Sequence, residues 1–204
     1  MASELFPRLA DYVSGLLTAA NLIDPDRKER LRRLRRFVHE KSDTTAALNF
    51  ICTHNSRRSH LGQIWASVAA HYYDLPHVQT FSGGTEATAF NPRAVAALQR
   101  AGFAIDDPGG DNPRYVVRFS PDAPPLTCWS KVFDDPANPA KDFAAIMTCS
   151  HADENCPFIP GAQLRLPLTY DDPKEADGTP QEADRYDERV RQIGRELFFA
   201  FGED

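Results

Sequence analysis

One short segment brings together a cysteine, an arginine and a serine at a spacing that suits oxyanion chemistry. Cys52 ends an apolar stretch that starts at Ala46, and Arg58 and Ser59 follow Cys52 six and seven positions later. A loop of this length between a strand and a helix can aim several backbone N–H groups at one point near the positive end of the helix. That field and a nearby arginine favour the thiolate of a cysteine, which is its attacking form. The segment therefore predicts a nucleophilic Cys52 in an anion-binding loop.

The remaining side chains of this segment suit the same chemistry. The planar guanidinium of Arg58 can hold two oxygens of a tetrahedral anion, and the Ser59 hydroxyl can donate a hydrogen bond to the cysteine sulfur. The residues expected to bind the oxyanion are Thr53, His54, Asn55, Ser56, Arg57 and Arg58. The alternative is a small buried cysteine at the end of a core strand, which is the usual role of a lone cysteine.

Two further cysteines, Cys149 and Cys156, stand close together in the second half of the chain. No secretory segment is apparent, so we expect a cytoplasmic location, where disulfides are usually transient and redox-active. Zinc would need two more soft ligands, and no second compact Cys or His pair follows, so no metal is expected. Cys128 lies outside both motifs and is expected to be a buried apolar thiol.

The segment from Cys52 to Ser59 resembles the signature of the low-molecular-weight tyrosine phosphatases and of the arsenate reductases built on the same fold. That signature is a cysteine, five residues, an arginine, then serine or threonine. Residues 81–86 and 91–94 also resemble the strand, turn and helix that follow in the family, and the resemblance covers most of residues 46–204. It implies an α/β fold with a parallel four-stranded sheet and helices on both faces, the phosphotyrosine phosphatase I-like fold.

A second motif, Met147 to Pro157, closely resembles the redox cysteine segment of thioredoxin-coupled arsenate reductases. The resemblance implies that Cys149 attacks Cys52 and that Cys156 then passes the disulfide outward to thioredoxin. No bound cofactor is expected, because thioredoxin is an external reductant. The main hypothesis is therefore an arsenate reductase. The alternatives are a phosphatase that hydrolyses phosphate monoesters through a phosphocysteine, and a redox-regulated binding protein with an unreactive Cys52.

Three Asp-Asp-Pro strings compete for the role of general acid, and they end at Pro108, Pro136 and Pro173. Composition cannot rank them, because Asp-Pro also starts ordinary turns. The third string follows the cysteine pair and an apolar stretch, as the general-acid loop does in the family, which implies that Asp172 is the acid. Phosphatases usually continue with paired tyrosines, and this chain has none there, so a platform for an aryl ring is missing.

Two more departures from the family concern the surroundings of the loop. Some reductases carry an acidic residue in the first turn of the following helix that helps to bind potassium. Gln63 occupies that neighbourhood here, which argues against a bound alkali ion. His54 and His60 flank the signature, and they either tune Cys52 or face solvent.

Length and charge fit one enzyme domain with an addition. The chain has 204 residues, of which 42% are apolar, so it can bury a sizeable core. Its apolar runs are too short to cross a bilayer, and a net charge of −6 does not indicate nucleic-acid binding. We expect a helical N-terminal extension over residues 1–43 and a catalytic domain over residues 44–204.

The extension is predicted to contain helices over residues 3–20 and 25–41. Asp24 and Pro25 start the second helix, whose apolar face consists of Leu31, Leu34, Phe37 and Val38. Its other positions carry the cations Arg27, Lys28, Arg30, Arg32, Arg33, Arg35 and Arg36. These cations either contact an anionic partner or a second subunit, form a lid near the active site, or are solvated.

Beyond residue 45, strand and helix patterns alternate up to a final helix predicted over residues 182–201, which is typical of a parallel sheet covered by helices. The pattern is interrupted between Asp106 and Pro139, where proline and glycine are dense. Residues 115–119 form an extended segment there that the pattern does not place.

Overall fold

The computed structural model describes residues 4–156 and 158–202. Its helices are α1 (Pro7–Thr18), α2 (Pro25–His39), α3 (Arg58–Tyr72), α4 (Pro92–Ala101), α5 (Ser150–Asn155) and α6 (Glu182–Phe201). Its strands are β1 (Ala46–Cys52), β2 (Val78–Gly84), β3 (Ala104–Asp106), β4 (Tyr115–Arg118), β5 (Leu126–Cys128), β6 (Phe143–Met147) and β7 (Ala162–Pro167). Short 3₁₀ turns cover Ala20–Leu22 and Pro173–Ala176.

Four strands form a parallel sheet in the order β2-β1-β6-β7, which confirms the predicted fold class. β1 is buried along its whole length, as expected for a central strand covered on both faces. Its alternate side chains enter two apolar clusters: Leu48 and Phe50 face the larger one, and Ala47 and Ile51 face the smaller one. All four strands end at one edge of the sheet, where the loops that follow β1 and β6 lie close together.

The two N-terminal helices share the larger apolar cluster with the helices that cover the sheet. α1 packs against α4 and α6, and α2 packs against α6 and β7. The predicted apolar face of α2 is buried at Leu31, Leu34, Phe37 and Val38. Asp24 caps α2 by accepting hydrogen bonds from the N–H groups of Asp26 and Arg27. The division of the chain at residue 43 stays a prediction, because one core includes both sides of it.

A second sheet, antiparallel and ordered β3-β4-β5, occupies the region that the sequence pattern did not place. The extended segment at residues 115–119 supplies its central strand, β4. The chain that follows β5 reaches the end of β2, where Gly84 forms a bridge with Val132. This places Ser130 and Lys131 beside the loop after β1.

Candidate active site

Cys52 lies at the carboxyl end of β1, and its sulfur contacts the first turn of α3. The side chain is buried, and Sγ is 3.1 Å from Oγ of Ser59. Asn55 Nδ2 donates to the same Ser59 oxygen at 2.8 Å, so the hydroxyl hydrogen of Ser59 is left for the sulfur. A hydrogen-bond donor on sulfur stabilises an anionic thiolate. The contact expected between Ser59 and the cysteine is therefore present in the fold.

The loop between Cys52 and Arg58 turns its carbonyl groups outward. The carbonyl oxygen of Thr53 accepts from Glu86 N, that of His54 accepts from two hydroxyls, and that of Ser56 accepts from Asn91 N. Within residues 4–156 and 158–202, no protein acceptor is bonded to the backbone N–H groups of residues 53–57. Consecutive free N–H groups at a helix N-terminus form a concave anion site.

Two backbone features hold the loop in this shape. Asn55 has a φ of 43°, in the left-handed region that few side chains tolerate. Gly84, at the end of β2, touches the loop so closely that a Cβ atom there would lie 2.6 Å from Asn55 N and 2.7 Å from Thr53 O. The chain therefore accepts local strain at the point where the amides converge, as functional loops often do.

Buried polar groups support the loop from below. Lys131 N donates to Asn55 Oδ1 at 2.9 Å, and the Lys131 side chain is buried, with Nζ 4.3 Å from the Trp129 ring centre. Burial lowers the pKa of Lys131. His60 is fully buried and stacks on Phe90 at 4.1 Å, so it does not face solvent. Burial, with help from the Lys131 charge, lowers the pKa of His60 to about 3.

His54 and Gln63 occupy contrasting positions around the loop. The His54 side chain is half exposed, with Nε2 3.6 Å from the carboxylate of Glu86. Gln63 is buried and donates through Nε2 to the carbonyl oxygen of Thr80 at 3.1 Å. In the described part of the chain, no group of three or more His, Cys, Asp or Glu side chains is arranged to hold a metal ion.

Arg58 and Asp172 meet at the mouth of the loop. Arg58 Nη2 donates to Asp172 Oδ2 at 2.7 Å, and Nη1 donates to the carbonyl oxygen of Tyr170 at 2.9 Å. The other two Asp-Asp-Pro strings serve local structure, since Asp106 pairs with Arg118 and Asp135 accepts from Ala137 N. Of the three Asp-Asp-Pro strings, the structure therefore places the third, which contains Asp172, beside the loop.

The Arg57 side chain turns away from the centre of the loop and contacts residues in and beyond the segment that contains Asp172. Its Nε donates to the hydroxyl of Tyr186 at 2.7 Å, and its Nη2 is 3.4 Å from Asp177. Tyr186 donates in turn to Asp177 at 2.9 Å, and burial raises the pKa of Tyr186 to about 12. Arg57 can therefore offer its backbone N–H to an anion, while its guanidinium binds Tyr186 and Asp177 outside the loop.

Helix α2 reaches the same site through Arg27. Its guanidinium lies over the Tyr170 ring at 4.6 Å, and its Nε is 2.8 Å from Glu196. Glu196 is buried and also accepts from the Tyr170 hydroxyl at 2.9 Å. Because the Tyr170 carbonyl holds Arg58, helix α2 supports the loop arginine from the far side. Arg27 is thus an internal residue, although sequence alone places it among surface cations.

The second cysteine borders the loop. Cys149 is buried at the N-cap of α5, where its sulfur accepts from Ala152 N and lies 3.4 Å from Thr53 Oγ1. Cys156 ends α5 and is partly exposed. All four thiols are free. Cys128 is fully buried, as predicted, and burial raises its pKa to about 12.

A cavity of about 560 Å³ opens beside the loop. Its lining consists of Arg58, Ser150, Tyr170, Asp171, Asp172, Lys174 and Glu175. Tyr170 is the one aromatic residue in this lining, and it is buried beneath Arg27. The mouth therefore presents charged and polar groups to an incoming molecule.

Comparison with known proteins finds relatives named arsenate reductase and a solved structure with the same fold. An arsenate reductase of Bacillus licheniformis is 31% identical over 149 residues, which are 72% of this chain and 89% of the relative. An arsenate reductase of Bacillus subtilis is 29% identical with the same coverage. A low-molecular-weight phosphotyrosine phosphatase of Vibrio cholerae has the same fold, with a TM-score of 0.50, 14% identity, and coverage of 76% of this chain and 93% of that one.

No protein-family model matches the chain. Over residues 4–156 and 158–202, none of the helices is both long and apolar enough to cross a membrane. The identity to the Bacillus licheniformis enzyme along most of its length decides the assignment. The chain belongs to the family of the arsenate reductases that have the fold of the low-molecular-weight phosphotyrosine phosphatases.

Proposed function

We propose that the protein is an arsenate reductase that uses Cys52, Cys149 and Cys156 in turn and is regenerated by thioredoxin. The observation that carries the proposal is the position of Cys149, whose sulfur lies 3.4 Å from the hydroxyl of Thr53, the residue after Cys52. The curated relatives named arsenate reductase support the same substrate. A phosphatase has no need of a second thiol at this place.

The first step joins sulfur to arsenic. Arsenate binds to the free loop N–H groups, and Arg58 exchanges its contact with Asp172 for contacts with the arsenate oxygens. The Cys52 thiolate attacks arsenic, and one As–O bond breaks. Asp172 gives a proton to the departing oxygen, which leaves as water. Arsenic is still pentavalent and is now bound to the Cys52 sulfur.

The second step reduces arsenic. Cys149 attacks the Cys52 sulfur, so an S–S bond forms, the S–As bond breaks, and its electron pair stays on arsenic, which leaves as trivalent arsenite. The Cys149 thiol must lose a proton to do this. Thr53 Oγ1 contacts both Cys149 Sγ at 3.4 Å and His151 Nδ1 at 3.3 Å, which provides an acceptor for that proton.

The third step frees the nucleophile. Cys156 attacks the Cys149 sulfur, which restores the Cys52 thiolate and leaves a Cys149–Cys156 disulfide for thioredoxin to reduce. The two cysteines flank the six-residue helix α5, so a helical rise of 1.5 Å per residue separates their Cα atoms by about 10 Å. A disulfide needs a separation below about 7 Å, so α5 must unwind. We assign the protein to the cytoplasm, where thioredoxin keeps thiols reduced.

The test measures arsenate-dependent NADPH oxidation with thioredoxin and thioredoxin reductase. Cys149→Ser and Cys156→Ser are compared with the parent protein, and Cys128→Ala is the matched control because Cys128 is buried outside the loop and α5. Hydrolysis of p-nitrophenyl phosphate is measured in parallel, since a phosphocysteine mechanism needs neither Cys149 nor Cys156.

We expect multiple turnover to vanish in both serine variants and to persist in Cys128→Ala. The phosphatase alternative predicts the opposite pattern: no arsenate turnover in the parent protein, with ester hydrolysis unchanged in both serine variants. Full turnover by Cys156→Ser would overturn the relay while leaving the fold assignment intact.

A further inference from the structure

Arg165, in the edge strand β7, contacts the carboxyl-terminal half of α5. Its Nε donates to the carbonyl oxygen of Cys156 at 3.1 Å, and its Nη2 donates to the carbonyl oxygen of Asp153. The same Nη2 lies 2.6 Å from the Asp153 carboxylate. One guanidinium therefore hydrogen-bonds the carbonyl groups of Asp153 and of the relay cysteine Cys156, and it also forms an ion pair with the Asp153 carboxylate.

These contacts matter because α5 is too short to persist alone. Isolated helices below about 12 residues are marginal in water, since the first turn fixes several residues for one hydrogen bond. The final carbonyl groups of any helix also lack partners within the helix. Arg165 supplies donors and positive charge at that end, where the helix dipole is negative. At the other end, Cys149 Sγ accepts from Ala152 N, and Ala152 is buried.

The Arg165 contacts belong to the helical form of α5 and oppose the disulfide form. With α5 helical, the Cα atoms of Cys149 and Cys156 are about 10 Å apart, which is too far for a disulfide. Closing the bond must displace the Cys156 backbone relative to Asp153. Arg165 cannot keep both carbonyls in its fork during that change, because its two donor directions are fixed by a planar group.

We infer that Arg165 is a positioning residue that latches α5 in the dithiol form and thereby sets the reduction potential of the Cys149–Cys156 pair. This inference rests on the proposed relay. Two thiols lose two electrons and two protons when the disulfide forms, and the Arg165 contacts stabilise the dithiol form. These contacts therefore raise the reduction potential of the pair, which makes the disulfide easier for thioredoxin to reduce.

The experiment measures the equilibrium of the pair directly, without arsenate. Protein carrying Cys52→Ser is equilibrated in glutathione and glutathione disulfide buffers of graded ratio, quenched with acid and alkylated. Mass spectrometry then gives the fraction with a Cys149–Cys156 disulfide. The variants are Arg165→Met, which keeps the stem without donors, and Arg165→Lys, which keeps the charge without the fork. Arg118→Met is the matched control, because Arg118 is also a strand arginine in an ion pair, with Asp106.

We expect Arg165→Met to shift the equilibrium about tenfold toward the disulfide, which is about 30 mV more negative for a two-electron couple. Arg165→Lys should fall between Arg165→Met and the parent protein, and Arg118→Met should not move the midpoint. A merely structural role would lower the melting temperature without moving the midpoint. If Arg165→Met does not fold, Asp153→Asn must still shift the midpoint in the same direction.

Two results would overturn the inference in distinguishable ways. Equal midpoints for the parent protein and Arg165→Met would remove the latch and leave the relay standing. Failure of the parent pair to form any disulfide across the whole range of buffers would remove the relay itself, and the latch with it.

Discussion

The ion pair between Arg27 and Glu196 gives the sharpest test of how helix α2 is held against helix α6. Arg27→Met keeps an apolar stem over the Tyr170 ring but removes the charge that faces Glu196. Both partners are shielded, with side-chain exposures of 14% and 3%. The variant leaves a buried carboxylate with two remaining donors, the Tyr170 hydroxyl and the Gln192 amide.

Removing one partner of a buried ion pair typically costs about 3–5 kcal/mol, because the other charge stays buried without compensation. The two remaining hydrogen bonds place the expected loss near the lower limit, at about 3 kcal/mol. For a chain of this size, that lowers the melting temperature by about 6–12 °C. The double variant Arg27→Met/Glu196→Gln buries no charge and should lose only about 1 kcal/mol.

Urea unfolding of the parent protein, both single variants and the double variant gives the coupling free energy. Arg32→Met is the control on the same helix, since Arg32 pairs with Glu29 at the surface and should change stability by less than about 0.5 kcal/mol. Additive losses in the double variant would refute the argument, because they would show that Arg27 and Glu196 do not stabilise each other.

Three further predictions concern single buried positions. Gly84→Ala should weaken phosphate binding more than tenfold by displacing the loop at Asn55, whereas Gly15→Ala, which meets open space, should leave titrations of phosphate binding unchanged. Cys128 should stay unlabelled by iodoacetamide at pH 8 until urea unfolds the protein, because burial raises its pKa to about 12, and native-state labelling detected by mass spectrometry would contradict this. Unfolded His60 takes up a proton near pH 6.5 but folded His60 only near pH 3, so the free energy of unfolding falls as pH falls below 6.5. In urea titrations at pH 7 and pH 5, the parent protein should lose about 2 kcal/mol more of its free energy of unfolding than the His60→Asn variant does.

The sequence predicts those parts of the site that depend on local pattern. The strand, loop and helix around Cys52 could be predicted because an apolar run, a signature and a helical repeat lie next to one another in the chain. The place of Asp172 beside Arg58 came from family position, and the structure brings the two within 2.7 Å. Helix α6 begins and ends where the sequence predicts, because its apolar spacing is regular.

The supporting contacts could not be predicted, because each joins residues that are distant in sequence and ordinary in type. Lys131 meets Asn55 across 76 residues, and Arg27 meets Glu196 across 169. A cation in a run of cations gives no local sign that it turns inward. The burial of His60 could not be predicted from the sequence either, since a histidine in the first turn of a helix is common at a surface.

The packing of α1 and α2 on α6 also governs how the chain can fold. Glu196 is synthesised 169 residues after Arg27. At a synthesis rate of about 5–20 residues per second, the apolar face of α2 therefore exists for many seconds before α6 has been made. Until then, Leu31 and Leu34, which are fully buried in the native state, have no α6 to cover them. Contacts this remote in sequence carry a high loop-closure cost, which slows folding. The core around α2 can therefore be completed only after α6 has been synthesised, although α2 precedes α6 by more than 140 positions in the sequence.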